Sequence, residues 1–148
     1  MGAPMNVSVV LYVHNGGAYL EPLVESILNQ THRDLELCVV DDGSTDGTPD
    51  VLARAAAADD RVRVTRQDHR GSDGLHETFN SGLAMTRHDL IAVANADDVW
   101  RPDKLAVQVA AFEDDPNLDI CYHNATFIDA EERVIHGSFR RVDSPRPA

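Results

Sequence analysis

With 148 residues, a formal net charge of -12 and 43% hydrophobic residues, the chain can build one compact domain with a hydrophobic core but not two full ones. No apolar stretch is long enough for a transmembrane helix, and the start MGAPMNVSVV lacks the basic and apolar regions of a secretory signal. On that ground a cytoplasmic protein is expected, and since the acidic balance repels a phosphate backbone, one that binds no nucleic acid.

The first predicted element is a buried strand over residues 7–13, VSVVLYV, rich in β-branched side chains. After the turn-like HNGG, residues 14–17, the spacing of Leu20, Leu23, Val24, Ile27 and Leu28 puts them on one face of a helix. A second strand over residues 35–40 ends in DDGSTDGTPD, where Thr48 and Pro49 read as the N-cap and first position of a helix over 49–57. A short strand follows over 62–65. Its arginines 61, 63 and 66 alternate with Val62 and Val64, the pattern of a solvated strand face. Residues 75–85 read as a helix with Leu75, Phe79 and Leu83 on one side, and 90–94 as a strand. Pro102 opens a helix with Leu105, Val109 and Phe112 inward, and 120–127 reads as a final, longer strand. Cys38 and Cys121 lie in apolar strand-like runs without CxxC or Cys/His spacing, so both are expected as buried thiols. Residues 1–141 are expected to form a single domain and 142–148, VDSPRPA, a frayed tail or the start of a linker.

Strand and helix alternate four times with short connections, which predicts an α/β fold: a parallel sheet with helices on both faces. Ligands of such sheets bind beyond the carboxyl ends of the strands. Those ends carry Tyr12 to Asn15, then Asp41 and Asp42, then residues 67–74, then Asn95 to Asp98. Asparagine, aspartate and glycine together suit a nucleotide and a hard divalent cation, Mg²⁺ or Mn²⁺, which takes one or two carboxylates and completes its shell with water and phosphate oxygens. Taken alone, DDGSTDG reads equally well as a polar turn. NADDVW also reads as a capping loop, although one carboxylate suffices for a cap and it has two.

The segments VSVVLYVHN, LEPLVESILNQT, LELCVVDDGSTDGT and GLHETFNSGLAMTRHDLIAVANADDVWRPDKL, in this order and spacing, resemble the donor-binding half of family 2 glycosyltransferases, inverting enzymes with the Rossmann-like GT-A fold. The resemblance runs from about residue 6 to 128 and implies a nucleotide-diphosphate sugar donor, UDP-linked, with an unknown saccharide, lipid or protein acceptor. It implies that Asp42 accepts a hydrogen bond from uracil N3–H and that His14, beside Asn15, packs on the base. Tyr12 stands where many members have proline or threonine. The family's Asp-x-Asp element is here Asn95, Ala96, Asp97, which leaves Asp97 as the metal ligand and Asn95 as a ribose contact that adds no charge. Gly74 and Asn80 match a glycine and asparagine six apart beneath the donor pyrophosphate; a simple turn accounts for Gly74 nearly as well. Asp98 is expected to orient the loop or cap the next helix.

Inverting transfer also needs a general base, and no residue of the chain stands out as one. Asp129 and Glu131, in FIDAEERVI, read as parts of a hairpin. The expectation is therefore a donor half whose C-terminal part is truncated. A non-catalytic nucleotide-binding module of the same fold is the alternative; a receiver-type phospho-acceptor domain lacks the strand-end lysine it needs, since Lys104 follows Pro102 into a helix.

Overall fold

The computed structural model describes residues 5–129, 131 and 133–136. Its elements are β1 (Val7–Val13), α1 (Leu20–Leu28), β2 (Leu35–Asp42), α2 (Thr48–Ala58), β3 (Val62–Gln67), α3 (Leu75–Leu83), β4 (Leu90–Ala94), α4 (Lys104–Asp114), β5 (Phe127–Ile128) and β6 (Val134–His136). Short 3-10 turns, Gly17–Tyr19 and Ser72–Gly74, lead into α1 and α3. The chain divides into two compact units, Met1–Val109 and Ala110–Ala148.

In the first unit four parallel strands lie in the order β3-β2-β1-β4. The chain steps outward from β1 to β3 and then returns to the other side of β1 to form β4. That reversal opens a crevice at the carboxyl ends of β1 and β4, the place where doubly wound sheets receive ligands. Val13 is paired with Asp41 and Leu11 with Ala94, so the two acidic loops emerge on either side of the end of β1.

Alternation along the strands decides what each face holds. Val7, Val9, Leu11 and Val13 join Leu35, Leu37 and Val39 in a core completed by Leu20, Leu23, Val24 and Ile27 of α1, with Leu52, Ala94, Trp100, Leu105 and Val109. The predicted stripe of α1 is thus the one that is buried. The opposite face, carrying Val10 and Val40, receives α3. Here the packing differs from the predicted Leu75, Phe79 and Leu83: the buried residues of α3 are Thr78 and Gly82, and Leu75 is 44% exposed. A Cβ on Gly82 would stand 2.6 Å from Val10 Cγ1, so the absent side chain is what lets the helix backbone settle on the sheet.

The arginine run is only partly a solvated face: the Arg66 side chain is 54% exposed, but each arginine is also tied to an acceptor. Arg61 pairs with Asp59 at 2.7 Å and donates to the Leu28 carbonyl, while Arg66 donates to the Ser44 carbonyl and stands 3.6 Å from Asp41. Arg63 reaches Glu36, whose Oε1 also accepts Ser8 Oγ–H and Arg87 N–H, each at 2.7 Å. Burial acts to raise the Glu36 pKa, but these donors together hold it below the usual value. Strand periodicity could not see these hooks, because apart from Asp59 their acceptors are carbonyls and carboxylates remote in sequence.

Thr48 does not cap α2 either. Its Oγ1 accepts Gly16 N–H at 2.9 Å, and Asp46 Oδ1 accepts Thr48 N–H at 2.9 Å instead. Gln30, fully buried, donates to the Ser26 and Arg101 carbonyls and accepts Leu105 N–H, while Ser26 Oγ accepts Trp100 N–H. These bonds pin the far end of the segment that follows β4.

In the second unit the described residues include the antiparallel pair of β5 and β6. The strand predicted over 120–127 shrinks to Phe127–Ile128; Ile120 and Tyr122 are 76% and 73% exposed, and Cys121 is half-buried rather than in a strand. An alternating run becomes a strand only where a neighbour supplies the ladder, and among the described residues no strand pairs with 120–126. Asp129 and Glu131 serve the turn: Asp129 Oδ1 accepts the N–H groups of Glu131 and Arg133 at 3.0 and 2.9 Å. The predicted tail, 142–148, lies outside the described residues.

Candidate functional site

The loop after β1 and the loop after β2 are laced together. Asn15 has φ 52°, a left-handed conformation that asparagine tolerates better than most residues. From there its N–H donates to Ser44 Oγ at 2.9 Å and its Oδ1 accepts Thr45 N–H at 2.8 Å. Gly17 N–H reaches Asp46 Oδ2, and Asp41 Oδ1 accepts Ser44 N–H at 2.9 Å. The DDGSTDG segment is therefore partly the turn it resembles: Asp41, Ser44, Asp46 and Thr48 all hold loop backbone.

Asp42 does something else. It is 6% exposed and closes β2 on the side of the sheet that carries α3. Its Oδ1 accepts Gln67 Nε2–H at 2.7 Å and Thr78 Oγ1–H at 3.3 Å, and its Oδ2 accepts His69 Nδ1–H at 2.9 Å. Arg70 N–H points at both oxygens, at 3.2 and 3.3 Å. Burial acts to raise the carboxyl pKa, but the bonds from Gln67, Arg70 N–H and His69 win and hold it below the usual aspartate range. Gly43 makes this convergence possible: with φ +68° and His69 N only 2.6 Å from where a Cβ would be, no side chain fits between the two loops.

His14 Nδ1–H donates to the Asp42 carbonyl at 2.8 Å, and Nε2 accepts Asn15 Nδ2–H at 3.1 Å. Its ring stacks on His69, centroids 3.8 Å apart and planes 23° from parallel. His14, Asp42 and His69 each bring one ligand atom within 4.8 Å of the others, a set that can hold a metal ion, and imidazole suits borderline ions better than Mg²⁺.

Across β1, the segment after β4 is more open. Asn95 Nδ2 donates to Asp98 Oδ2 at 3.1 Å, and Asp98 N–H to the Asn95 carbonyl at 3.2 Å, so Asp98 shapes the turn. Ala96 packs against the core. Asp97 is exposed and, among the described residues, makes no hydrogen bond or ion pair. Behind it Lys104 Nζ lies 3.1 Å from the centre of the Trp100 ring, and burial pushes its pKa down to about 8.

Tyr12 meets Phe79 edge-on, with ring centroids 6.3 Å apart. Together with Ser72, Leu75, His76 and Val93 they line an open hollow of about 500 Å³. Leu75 and Phe79, predicted on one side of α3, thus wall this hollow. Gly74 has φ -93° and needs no left-handed freedom, but a Cβ there would collide with Arg70 Cβ. The crowding at this glycine comes from the Arg70 side chain. Asn80 is exposed; two residues beyond Thr78 on a helix is a turn of about 200°, so its side chain leaves away from Asp42.

The predicted residues Tyr12, His14, Asn15 and Asp42 are brought together, and Asn95 to Asp97 stand two strands from Asp42, about 10 Å at ordinary strand spacing. Gln67, His69 and Thr78 were missed. Residues 67–74 were legible as a strand end, but nothing in their spacing distinguished a carboxylate partner from a loop residue.

Comparison with known proteins shows the family and the fold. The model of the family described as glycosyl transferase family 2 matches residues 8–146. An uncharacterized glycosyltransferase of Nostoc sp. is 35% identical over 132 residues, 88% of this chain and 40% of its own length. A chondroitin synthase of Escherichia coli is 33% identical over 133 residues, 90% of this chain and 19% of its own length. The chain thus spans well under two thirds of the curated relatives it matches. Among solved structures, S. aureus TarS 1-349 in complex with UDP-GlcNAc shares the fold with a TM-score of 0.67 at 23% identity, over 74% of this chain and 32% of that one. The mannosyltransferase PcManGT of Pyrobaculum calidifontis, in complex with GDP-Man and Mn²⁺, gives 0.64 at 27% identity, over 76% and 35%.

Proposed function

Because this chain belongs to glycosyl transferase family 2, we propose that it binds a nucleotide-diphosphate sugar, UDP-linked, across the ends of β2, β1 and β4, and serves its transfer with inversion to an acceptor hydroxyl. The observation that carries this reading is the pairing of an enclosed, ionised Asp42 with an open Asp97 on opposite sides of β1. An extended nucleoside diphosphate bridges that interval with its base at one end and its phosphates at the other. Ionised Asp42 is an acceptor only, which matches a base presenting N–H. Uracil and guanine, the bases of the donors bound by the two structural relatives, both do so.

The residues fit Mg²⁺ or Mn²⁺ modestly. Asp97 supplies one unencumbered carboxylate, and these ions are commonly held by one or two carboxylates plus substrate phosphates. Asn95, turned to Asp98, adds an amide and no charge. A bound cation would offset the charge that develops on the departing diphosphate. Among this chain's own groups, Asn15 and Gly16 fix the loop over the donor, His14 offers a ring face for the base, and Tyr12 closes one side of the hollow.

The absent first carboxylate at Asn95 favours a second reading, a nucleotide-binding module without transfer. Calorimetric titration of UDP with and without Mn²⁺, on the parent and on Asp97→Ala, tests the first. Mn²⁺-dependent binding that loses its metal dependence in the variant is expected. An Asp97→Ala protein that binds UDP and Mn²⁺ like the parent would defeat the metal assignment, and UDP-sugar turnover would exclude the second reading.

A further inference from the structure

This inference rests on the nucleotide reading and concerns what occupies the base end when no nucleotide is bound. The Asp42 carboxylate already receives Gln67, Thr78, His69 and the Arg70 N–H. A carboxylate offers about four lone-pair positions, so a base N–H can reach it only by replacing a donor. Gln67 Nε2 also bonds Thr78 Oγ1 at 2.7 Å, and the Thr78 side chain is enclosed under α3. Arg70 N–H is backbone, and the residue before it has its own backbone packed against Gly43. His69 is the donor free to leave: its side chain is 47% exposed.

The same ring blocks the stacking surface. At 3.8 Å from His14 it leaves no space for a third ring between them. We propose that His69 is a resident stand-in for the nucleobase. Its Nδ1–H takes the acceptor a base N–H would use, and its ring covers the His14 face on which the base would lie. Nucleotide enters as His69 swings out, and His69 thereby sets the affinity for nucleotides. The site takes bases that present N–H at this edge, uracil N3–H or guanine N1–H; cytosine presents an unprotonated nitrogen there and cannot replace the imidazole as donor.

UDP and CDP are titrated calorimetrically, in excess Mn²⁺, into the parent, His69→Ala and His69→Gln. Removing the competitor should tighten UDP binding about tenfold in His69→Ala, while His69→Gln, which keeps a donor toward Asp42, should remain near the parent. CDP should bind more weakly than UDP to all three. A second measurement needs no variant to fold well: in the parent, UDP should shift the His69 and His14 ring proton resonances together as the stack opens. UDP affinity equal or lower in His69→Ala, or ring resonances unmoved at saturating UDP, overturns this inference alone. No binding of UDP to any of the three overturns the nucleotide reading and this inference with it.

Discussion

Asp42→Asn replaces one acceptor oxygen with an NH₂ group that faces donors whichever way the amide is turned. In one orientation it meets Gln67 Nε2–H and the Thr78 hydroxyl, in the other His69 Nδ1–H, while Arg70 N–H lies between the two positions and keeps the remaining oxygen. Thr78 can turn its hydroxyl to the Gly74 carbonyl, 3.2 Å away, but Gln67 Nε2–H then loses its Asp42 acceptor. One or two enclosed donors stranded at about 1 to 3 kcal/mol each give a loss of about 1 to 6 kcal/mol, centred at ~3 kcal/mol. For a chain of this size that lowers Tm by about 5 to 15 °C. The pH dependence supplies the control. The folded pKa of Asp42 is depressed, so its stabilisation is complete above the unfolded value near ~4 and is lost as pH falls through the folded value. Asparagine does not titrate there. Thermal unfolding followed by circular dichroism should therefore show the widest gap between parent and variant at pH 7, narrowing below pH ~4. An unchanged Tm at pH 7, or a gap that stays constant down to pH 3, would refute the network as described.

Gly82→Val drives a side chain into Val10, whose Cγ1 lies 2.6 Å from where a Cβ at position 82 would stand, and should cost about 1 to 3 kcal/mol, read as a lower urea midpoint. Lys104→Met keeps the stem over Trp100 without the charge. Because burial lowers the folded Lys104 pKa to about 8, the parent gains stability as pH rises from there toward the unfolded value, whereas the variant does not; urea midpoints at pH 7 and 10 check the difference. Burial pushes the Cys38 thiol up to about 11, so native protein treated with iodoacetamide at pH 8 should carry no label at Cys38 by mass spectrometry, and unfolded protein should carry it.

Local pattern determined the frame. The β-branched runs at 7–13 and 90–94 and the stripe of α1 reappear in the structure at the predicted residues, because strand and helix periods act within a few residues and a buried stripe needs only a sheet to lie on. Order and spacing of the motifs likewise placed Asp42 and Asp97 at strand ends. Tertiary structure decided the partners. Thr78 and Gly82 rather than Leu75 and Phe79 seat α3, since the Thr78 hydroxyl reaches Asp42 and the missing side chain at Gly82 admits the helix backbone to Val10, and the larger residues are left to wall the hollow beside Tyr12. Arg61, Arg63 and Arg66 found acceptors in distant loops, and Gln67, His69 and Thr78 converged on Asp42 from β3, its following loop and α3. A hydrogen bond between residues 25 to 36 apart in sequence leaves no periodic trace along the chain; it exists only once the strand order has brought their ends together.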